Sequence, residues 1–129
     1  MDSLALGKFF LPVIQKMSSR ISGLHCAVLC TSDGFNICSL GLTEEQVGKM
    51  AALSSSLFAI GAATAASVSP PDATGALDTI TLEAHGLQMV CVKIPRPDGH
   101  MILLAGARAP LGVVLVGVKG TVADLLKML

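Results

Sequence analysis

The segment closest to a chemical motif is glycine-rich and lies near the C-terminus. Gly112 and Gly117 have the spacing of the two glycines in a phosphate-binding loop, and Lys119 follows. In that motif the lysine comes directly after the second glycine, whereas Val118 intervenes here. The four residues between the glycines are Val-Val-Leu-Val, a core sequence and not a phosphate cradle. We interpret the segment as a buried stretch that tolerates glycine.

Three consecutive serines, residues 54–56, are candidate nucleophiles. A nucleophilic serine needs a neighbouring base and an orienting acid, and no histidine lies nearby in the sequence. His25, His85 and His100 fall at predicted strand ends or turns, without the common spacing of metal ligands. We therefore expect helix-packing serines, turn histidines, no catalytic residue, no metal and no cofactor.

The four cysteines are predicted to be buried free thiols. Cys26, Cys30, Cys38 and Cys91 form no C-x-x-C pair, and all four stand in apolar stretches. Neither a disulfide nor a zinc site is expected.

Two arginines and two aspartates stand in predicted loops. Arg96 and Arg108 have the side chain that an arginine finger uses on a phosphoryl group, but nothing selects either one over a solvated loop arginine. Asp33 and Asp98 each precede a glycine, where local hydrogen bonding in a turn accounts for them.

The composition excludes several classes of protein. The chain has 129 residues, of which 52% are hydrophobic and 14% charged, and its formal net charge is zero. This length fits one domain with a core of its own, and the apolar excess resembles that of obligate dimers. A neutral chain without Trp or Tyr has neither the basic stripe nor the aromatic platforms typical of nucleic-acid binding.

Neither a membrane span nor a signal peptide is expected. Serines interrupt the most apolar stretch, residues 50–69, and a spanning helix needs about 20 predominantly apolar residues. The N-terminus lacks a basic flank and a small-residue cleavage site. We therefore expect a cytoplasmic protein.

The elements that would position these residues are organised around a long helix at residues 43–69. Thr43 is predicted to cap it, with Gln46 completing a capping box, and Glu44 and Glu45 suit the positive end of the helix dipole. The two prolines at 70 and 71 end it.

On a helical wheel this helix has a bulky flank and a smooth flank. We predict that the bulky flank packs on the protein's own sheet: Val47, Met50, Leu53, Leu57, Phe58 and Ile60. The smooth flank carries Ala51, Ser55, Ala59 and Ala63, widened by Gly48, Ala52, Ser56 and Ala62. Small side chains let a second backbone approach, so we predict that the smooth flank contacts another chain.

The remaining pattern predicts two helices and five strands. A first helix is expected at residues 3–19, with Pro12 either kinking it or standing near its true start. Strands are expected at 25–31, 35–40, 77–84, 87–94 and 100–107, joined by tight turns such as Asp33-Gly34. Residues 111–129 have strand propensity but a helical apolar spacing, and we predict a helix. The order is α-β-β-α-β-β-β-α in a single domain, residues 1–129.

This order and its residues resemble the Roadblock/dynein light chain 7 family, including the bacterial MglB-like regulators of Ras-like GTPases. The resemblance rests on the hairpin at 28–37, the Ala/Ser-rich helix after Gly41, the strand at 101–105 and the segment Ala109-Pro110-Leu111-Gly112. It implies an α+β sandwich with a five-stranded antiparallel sheet. The long helix would lie on one face of the sheet and the two terminal helices on the other.

The resemblance also implies a homodimer formed by joining edge strands and pairing long helices. The predicted dimer or partner interface comprises Val47, Gly48, Ala51, Ala52, Ser55, Ser56, Ala59, Ala62, Ala63, Leu77, Thr79, Thr81 and Glu83. The candidate GTPase contacts are Glu44, Glu45 and Lys49.

The leading hypothesis is a non-enzymatic homodimer that binds a Ras-like small GTPase and regulates its nucleotide cycle. Any stimulation of hydrolysis would come from positioning the GTPase's own residues. A structural dimer or scaffold subunit without a GTPase is the alternative, and a small-molecule sensor is a third. No nucleic acid, membrane span or small-molecule substrate is expected.

Overall fold

The helices and strands follow the predicted order. A computed structural model describes residues 3–72 and 78–129, with the side chain of Ser3 left out. The helices are α1 (Ser3–Gln15), α2 (Met17–Arg20), α3 (Glu44–Val68) and α4 (Leu111–Lys127). The strands are β1 (Leu24–Thr31), β2 (Asn36–Leu40), β3 (Thr79–Ala84), β4 (Leu87–Arg96) and β5 (Gly99–Ala107).

The strands form one antiparallel sheet in the order β2-β1-β5-β4-β3. The inner strands β1 and β5 are almost continuously buried, as expected where helices cover both faces. The strand predicted to lie at an edge, β3, does so, and four of its six residues are exposed.

The two faces of the sheet carry separate apolar clusters. On one face, Ala51 and Phe58 of α3 pack with Val28, Ile102 and Leu104 of the sheet. On the other face, the core combines residues of α1, α2 and α4 with the opposite side of the same strands: Phe10, Ile14, Met17, Ile21, Val114, Val118 and Leu125. The predicted α+β sandwich is confirmed, with the long helix on one face and the terminal helices on the other.

The N-terminal segment differs from the prediction of one helix over residues 3–19. Pro12 lies inside α1, so a helix start near Pro12 is wrong. The helix ends at Gln15 and a four-residue helix, α2, follows. This break lets Met17 and Ile21, both 0% exposed, enter the core under α4.

The C-terminal segment is helical, as the apolar spacing predicted and against the local strand propensity. The backbone N–H groups of Val113 and Val114 donate to the carbonyl of Pro110, at 3.0 and 3.2 Å. Val114, Val118 and Leu125 are completely buried. Burial of this helical face outweighs an intrinsic preference of a few tenths of a kcal/mol per residue.

One helix of the described residues, α3, is long and apolar enough to cross a membrane by length and composition. Serines are spread along it, its buried residues are Val47, Ala51, Ser54 and Phe58, and 17% of its most apolar 18-residue window is buried. A helix that covers one face of a folded domain passes the same test.

Candidate functional site

The N-terminus of α3 is built as the sequence predicts. The hydroxyl of Thr43 accepts a hydrogen bond from the backbone N–H of Gln46 at 3.2 Å. The side-chain carbonyl of Gln46 accepts from the backbone N–H of Thr43 at 2.9 Å, which completes the capping box. This end of α3 is therefore fixed in direction as it leaves β2.

The hairpin between β1 and β2 sets which side of α3 faces the sheet. The hydroxyl of Ser55 donates to the backbone carbonyl of Ser32 at 2.6 Å. Gly34, with φ of +93°, lies so close that a Cβ there would be 3.3 Å from the Cα of Ala52. Only small side chains of α3 fit against this turn.

The predicted division of α3 into a sheet-facing bulky flank and an outward smooth flank is wrong in part. Leu53 and Ile60 were placed on the sheet, but they are 49% and 65% exposed. Val47 and Ala51 were placed in the interface, but within the single chain they are only 8% and 0% exposed. Relative to the prediction, α3 is turned about its own axis. The β1–β2 hairpin requires small residues, such as Ala51, on the side of α3 that faces the sheet.

The outward face of α3 therefore combines small residues with two large apolar side chains. Ser55 is half-buried, and the other predicted small residues are exposed: Gly48, Ala52, Ser56, Ala59, Ala62 and Ala63. Leu53 and Ile60 were missed as members of this face. Their wheel positions lie opposite those of Ala51 and Phe58, but the helix sequence alone does not show that Ala51 faces the sheet.

The outer edge of β3 is the second part of the predicted interface. Thr79 is half-buried, while Thr81 and Glu83 are exposed. Among the described strands, β3 pairs with β4 on one side only, so its other edge presents backbone groups that no described strand pairs with. Leu77, the remaining predicted edge residue, lies outside the described residues.

The three candidate GTPase contacts are all exposed. Glu44 and Glu45 stand in the first turn of α3, and Lys49 lies one turn further on. Across the described parts of the chain, none of the three forms an ion pair. Their charges are therefore available at one end of the outward face.

The three consecutive serines use their hydroxyl protons on backbone carbonyls. Ser54 donates to Met50 at 2.7 Å, and Ser56 donates to Ala52 at 3.1 Å. Ser54 is buried and Ser55 is bonded to the hairpin, so these two act in packing as predicted, whereas Ser56 is exposed.

The glycines that resemble a phosphate-binding loop instead receive another helix. A Cβ on Gly117 would meet the buried Ile21 side chain, and a Cβ on Gly120 would meet the Arg20 guanidinium. The guanidinium of Arg20 forms an ion pair with the carboxylate of Asp124 on α4. The prediction of a buried segment is confirmed for Val114, Gly117 and Val118, whereas Gly112, Val113 and Val116 are exposed.

The four thiols are free and buried, as predicted. Burial raises the pKa of Cys30 and Cys91 to about 12 and that of Cys38 to about 11. Burial also raises the pKa of Cys26, against the opposing hydrogen bond to the Gly106 backbone. These thiols are poor nucleophiles at neutral pH.

The two candidate arginine fingers are engaged in turns. Arg108 donates from Nη1 to the backbone carbonyl of His85 at 3.1 Å, which ties the β3–β4 turn to the end of β5. Arg96 lies 3.4 Å from Asp98 across the β4–β5 turn. Neither side chain is assembled with the outward face of α3.

The architecture is a five-stranded antiparallel sheet with α3 on one face and α1 and α4 on the other. No family model matches the sequence, and no curated protein matches it significantly. Comparison of folds, however, gives clear matches: the chain has the Roadblock/MglB-like fold.

Three solved structures illustrate the match. A Roadblock/LC7 domain from Streptomyces avermitilis superposes with a TM-score of 0.75 and 19% identity, over 90% of this chain and 93% of that one. MglB of Myxococcus xanthus gives 0.77 and 16% identity, over 95% and 88% of the two chains. An MglB described as having a tetrameric arrangement gives 0.77 and 17% identity, over 95% and 89%. At these identities the similarity concerns the fold.

Proposed function

We propose that this protein is a water-soluble, cytoplasmic, non-enzymatic homodimer that binds a Ras-like small GTPase and regulates its nucleotide cycle. The observation that supports it most is the uncovered outward face of α3, on a fold shared with MglB. Leu53 and Ile60 expose apolar area there among alanines and serines. Exposed apolar area of this kind is typical of protein-protein contacts.

In the proposed dimer, two α3 helices pair through their outward faces. Leu53 and Ile60 of one copy pack against the shallow surface that the small residues Gly48, Ala52 and Ser56 form on the other. The outer edge of β3 adds strand pairing between copies. A tetrameric arrangement of an MglB protein is in keeping with assembly through such surfaces.

The GTPase would bind at the N-terminal ends of the paired helices. Glu44, Glu45 and Lys49 are exposed there and lack ion-pair partners within the described ranges. Exposed charges at the rim of an interface mainly set the association rate and the partner choice. Regulation would follow from positioning the GTPase's own switch residues.

The dimer is tested by sedimentation equilibrium of Ile60→Glu. Burying an unpaired carboxylate in a helix contact is strongly unfavourable, so the variant should sediment as a monomer at concentrations where the parent is dimeric. The matched control is Val116→Glu on α4, because Val116 is also an exposed apolar side chain, on the opposite face of the sheet. An Ile60→Glu protein that stays dimeric overturns the proposed contact.

The GTPase is tested by calorimetric titration with the Ras-like GTPases of the same genome, loaded with GDP or a GTP analogue. We expect one of them to bind in one nucleotide state. Glu45→Lys should slow its association and alter the salt dependence, while a Lys127→Glu control on α4 should not. If none binds, the alternative of a structural scaffold dimer replaces the GTPase part of the proposal.

A further inference from the structure

A groove of about 660 Å³ opens between the C-terminal half of α3 and the adjacent ends of β4 and β5. Phe58 and Ile102 contribute large apolar side chains to it, Lys93 and His100 are its basic residues, and Pro70 and Pro71 line it where α3 ends. The helix side is lined by small residues: Ser55, Ala59, Ala62, Ala65, Ala66 and Ser69. Its volume lies in the range of ligand-binding clefts, about 300–1,000 Å³.

The groove exists because the residues of α3 that face the sheet after Phe58 have small side chains or none. Phe58 is the last residue of α3 that is fully buried on the sheet. After it, the half-buried positions are Gly61 and Ala65, whose side chains are absent or too short to fill the space beside the helix. The helix continues for ten residues past Phe58 and forms one wall of the groove.

The polar lining provides one cation suited to a single negative charge. Within residues 3–72 and 78–129, the ammonium of Lys93 forms no ion pair. His100 lies next to it, and burial together with the charge of Lys93 lowers the pKa of His100. Asp78 stands opposite Lys93 across the β3–β4 ladder, where its carbonyl accepts the Lys93 backbone N–H at 2.9 Å, but its side chain is exposed.

We propose that this groove binds a small monocarboxylate with an unbranched hydrocarbon body. The carboxylate would pair with Lys93 and accept a hydrogen bond from His100. The hydrocarbon would lie along the alanine wall. Among the described residues, the groove lining contains no arginine for bidentate phosphate recognition, and the sequence has no Trp or Tyr for stacking.

The groove lies on a different flank of α3 from the large residues of the proposed dimer contact. At about 100° per residue, Ile60 is about 160° around the helix from Ala62, and Leu53 is about 140° from Ala66. Ser55, Ala59 and Ala62 belong both to the groove lining and to the predicted interface, so a partner that reaches beyond Leu53 and Ile60 would compete with the ligand. The proposed ligand does not depend on the GTPase.

The experiment is a calorimetric titration of the full chain with sodium decanoate below its micellar concentration, repeated with decanol. Lys93→Met should weaken decanoate binding about tenfold and leave decanol unaffected, because only the charge pairing is lost. Lys119→Met is the control, since Lys119 is exposed on α4, across the sheet from the groove. Shortening decanoate by one methylene should weaken binding about fourfold, as expected for buried hydrocarbon.

The location is tested by filling the groove and by proton NMR. Ala66→Leu should abolish binding, whereas Thr64→Leu, which adds the same bulk to an exposed position outside the lining, should not. Decanoate should move the ring resonances of His100 and raise its pKa, and leave those of His25 and His85 in place. The NMR measurement needs no variant, so it decides the location even if Ala66→Leu fails to fold. Absence of binding at millimolar decanoate, or binding insensitive to Lys93→Met with unmoved His100 resonances, overturns the proposal.

Discussion

Replacing Gly117 with alanine would place a methyl group in space that the side chain of Ile21 already occupies. The added Cβ would lie 2.8 Å from the Cδ1 of Ile21 and closer still to its Cγ1. Carbon atoms in contact normally stay about 3.5–4.0 Å apart. Ile21 is 0% exposed, so it has no free space into which it can turn.

The expected sign is opposite to that of helix propensity. In an open helical position, alanine is more favourable than glycine by about 0.8–1.0 kcal/mol. Overpacking a filled core costs about 1–3 kcal/mol, and here α2 would have to move away from α4. We expect Gly117→Ala to lower the free energy of unfolding by about 1–2 kcal/mol, and the midpoint of thermal unfolding by roughly 3–10 °C.

The assay is urea unfolding followed by circular dichroism at 222 nm, at one fixed protein concentration because association shifts apparent stability. Gly112→Ala is the control in the same helix, since a Cβ there meets nothing within 4 Å; its stability should change by less than about 0.5 kcal/mol or rise. The double variant Gly117→Ala with Ile21→Ala should be more stable than the sum of the single effects predicts, because the clash is removed. A Gly117→Ala protein as stable as Gly112→Ala would refute the packing account of this glycine.

Two further predictions concern the cap of α3 and the buried thiols. Thr43→Ala should lower the free energy of unfolding by about 1 kcal/mol, because it removes one half of the capping box, whereas Thr64→Ala on the exposed side of α3 should have little effect in the same urea assay. For the thiols, the pKa values of Cys30 and Cys91 are about 12 in the folded chain against 9.0 for an ordinary thiol. The unfolded chain therefore loses these protons first as the pH rises. The stabilisation is complete below pH 9 and is lost towards pH 12, by up to about 1.4 kcal/mol per pH unit for each thiol. Urea unfolding at a series of alkaline pH values should show this fall, and Cys30→Ala should reduce its slope; an unchanged slope would contradict the assignment.

The architecture could be predicted from the sequence because several local signals agree. The capping box at Thr43, the Asp33-Gly34 turn and the two prolines after α3 each mark a boundary that the structure keeps. The C-terminal helix was predicted against the strand propensity of its first residues. It forms because Val114, Val118 and Leu125 share one face, and that face is buried.

The orientation of α3 could not be predicted from its own residues. A wheel drawn from side-chain size placed Ala51 outside and Ile60 inside, and the structure reverses both. The cause is the hairpin between β1 and β2, which presses on α3 through Gly34 and Ser32. A contact between segments this far apart in the chain leaves no sign in the periodicity of the helix.

The groove was also beyond sequence reasoning. Lys93 and His100 come from two different strands and meet Ala62 and Ala66 only because α3 crosses over the ends of those strands. In the sequence, the same alanines suggest only a close approach to another backbone. In the structure, the small size of these alanines also leaves the groove open.

The single-sided pairing of β3 has a consequence for handling the protein. Its free edge offers a row of backbone donors and acceptors, and in its sequence, Thr-Ile-Thr-Leu-Glu-Ala, only Glu83 carries a charge. Short, β-prone segments of low charge seed fibrils when they lie bare. If that edge is left uncapped at high concentration, the molecule carries its own template for fibril growth, and Glu83 is the one electrostatic gatekeeper on the strand.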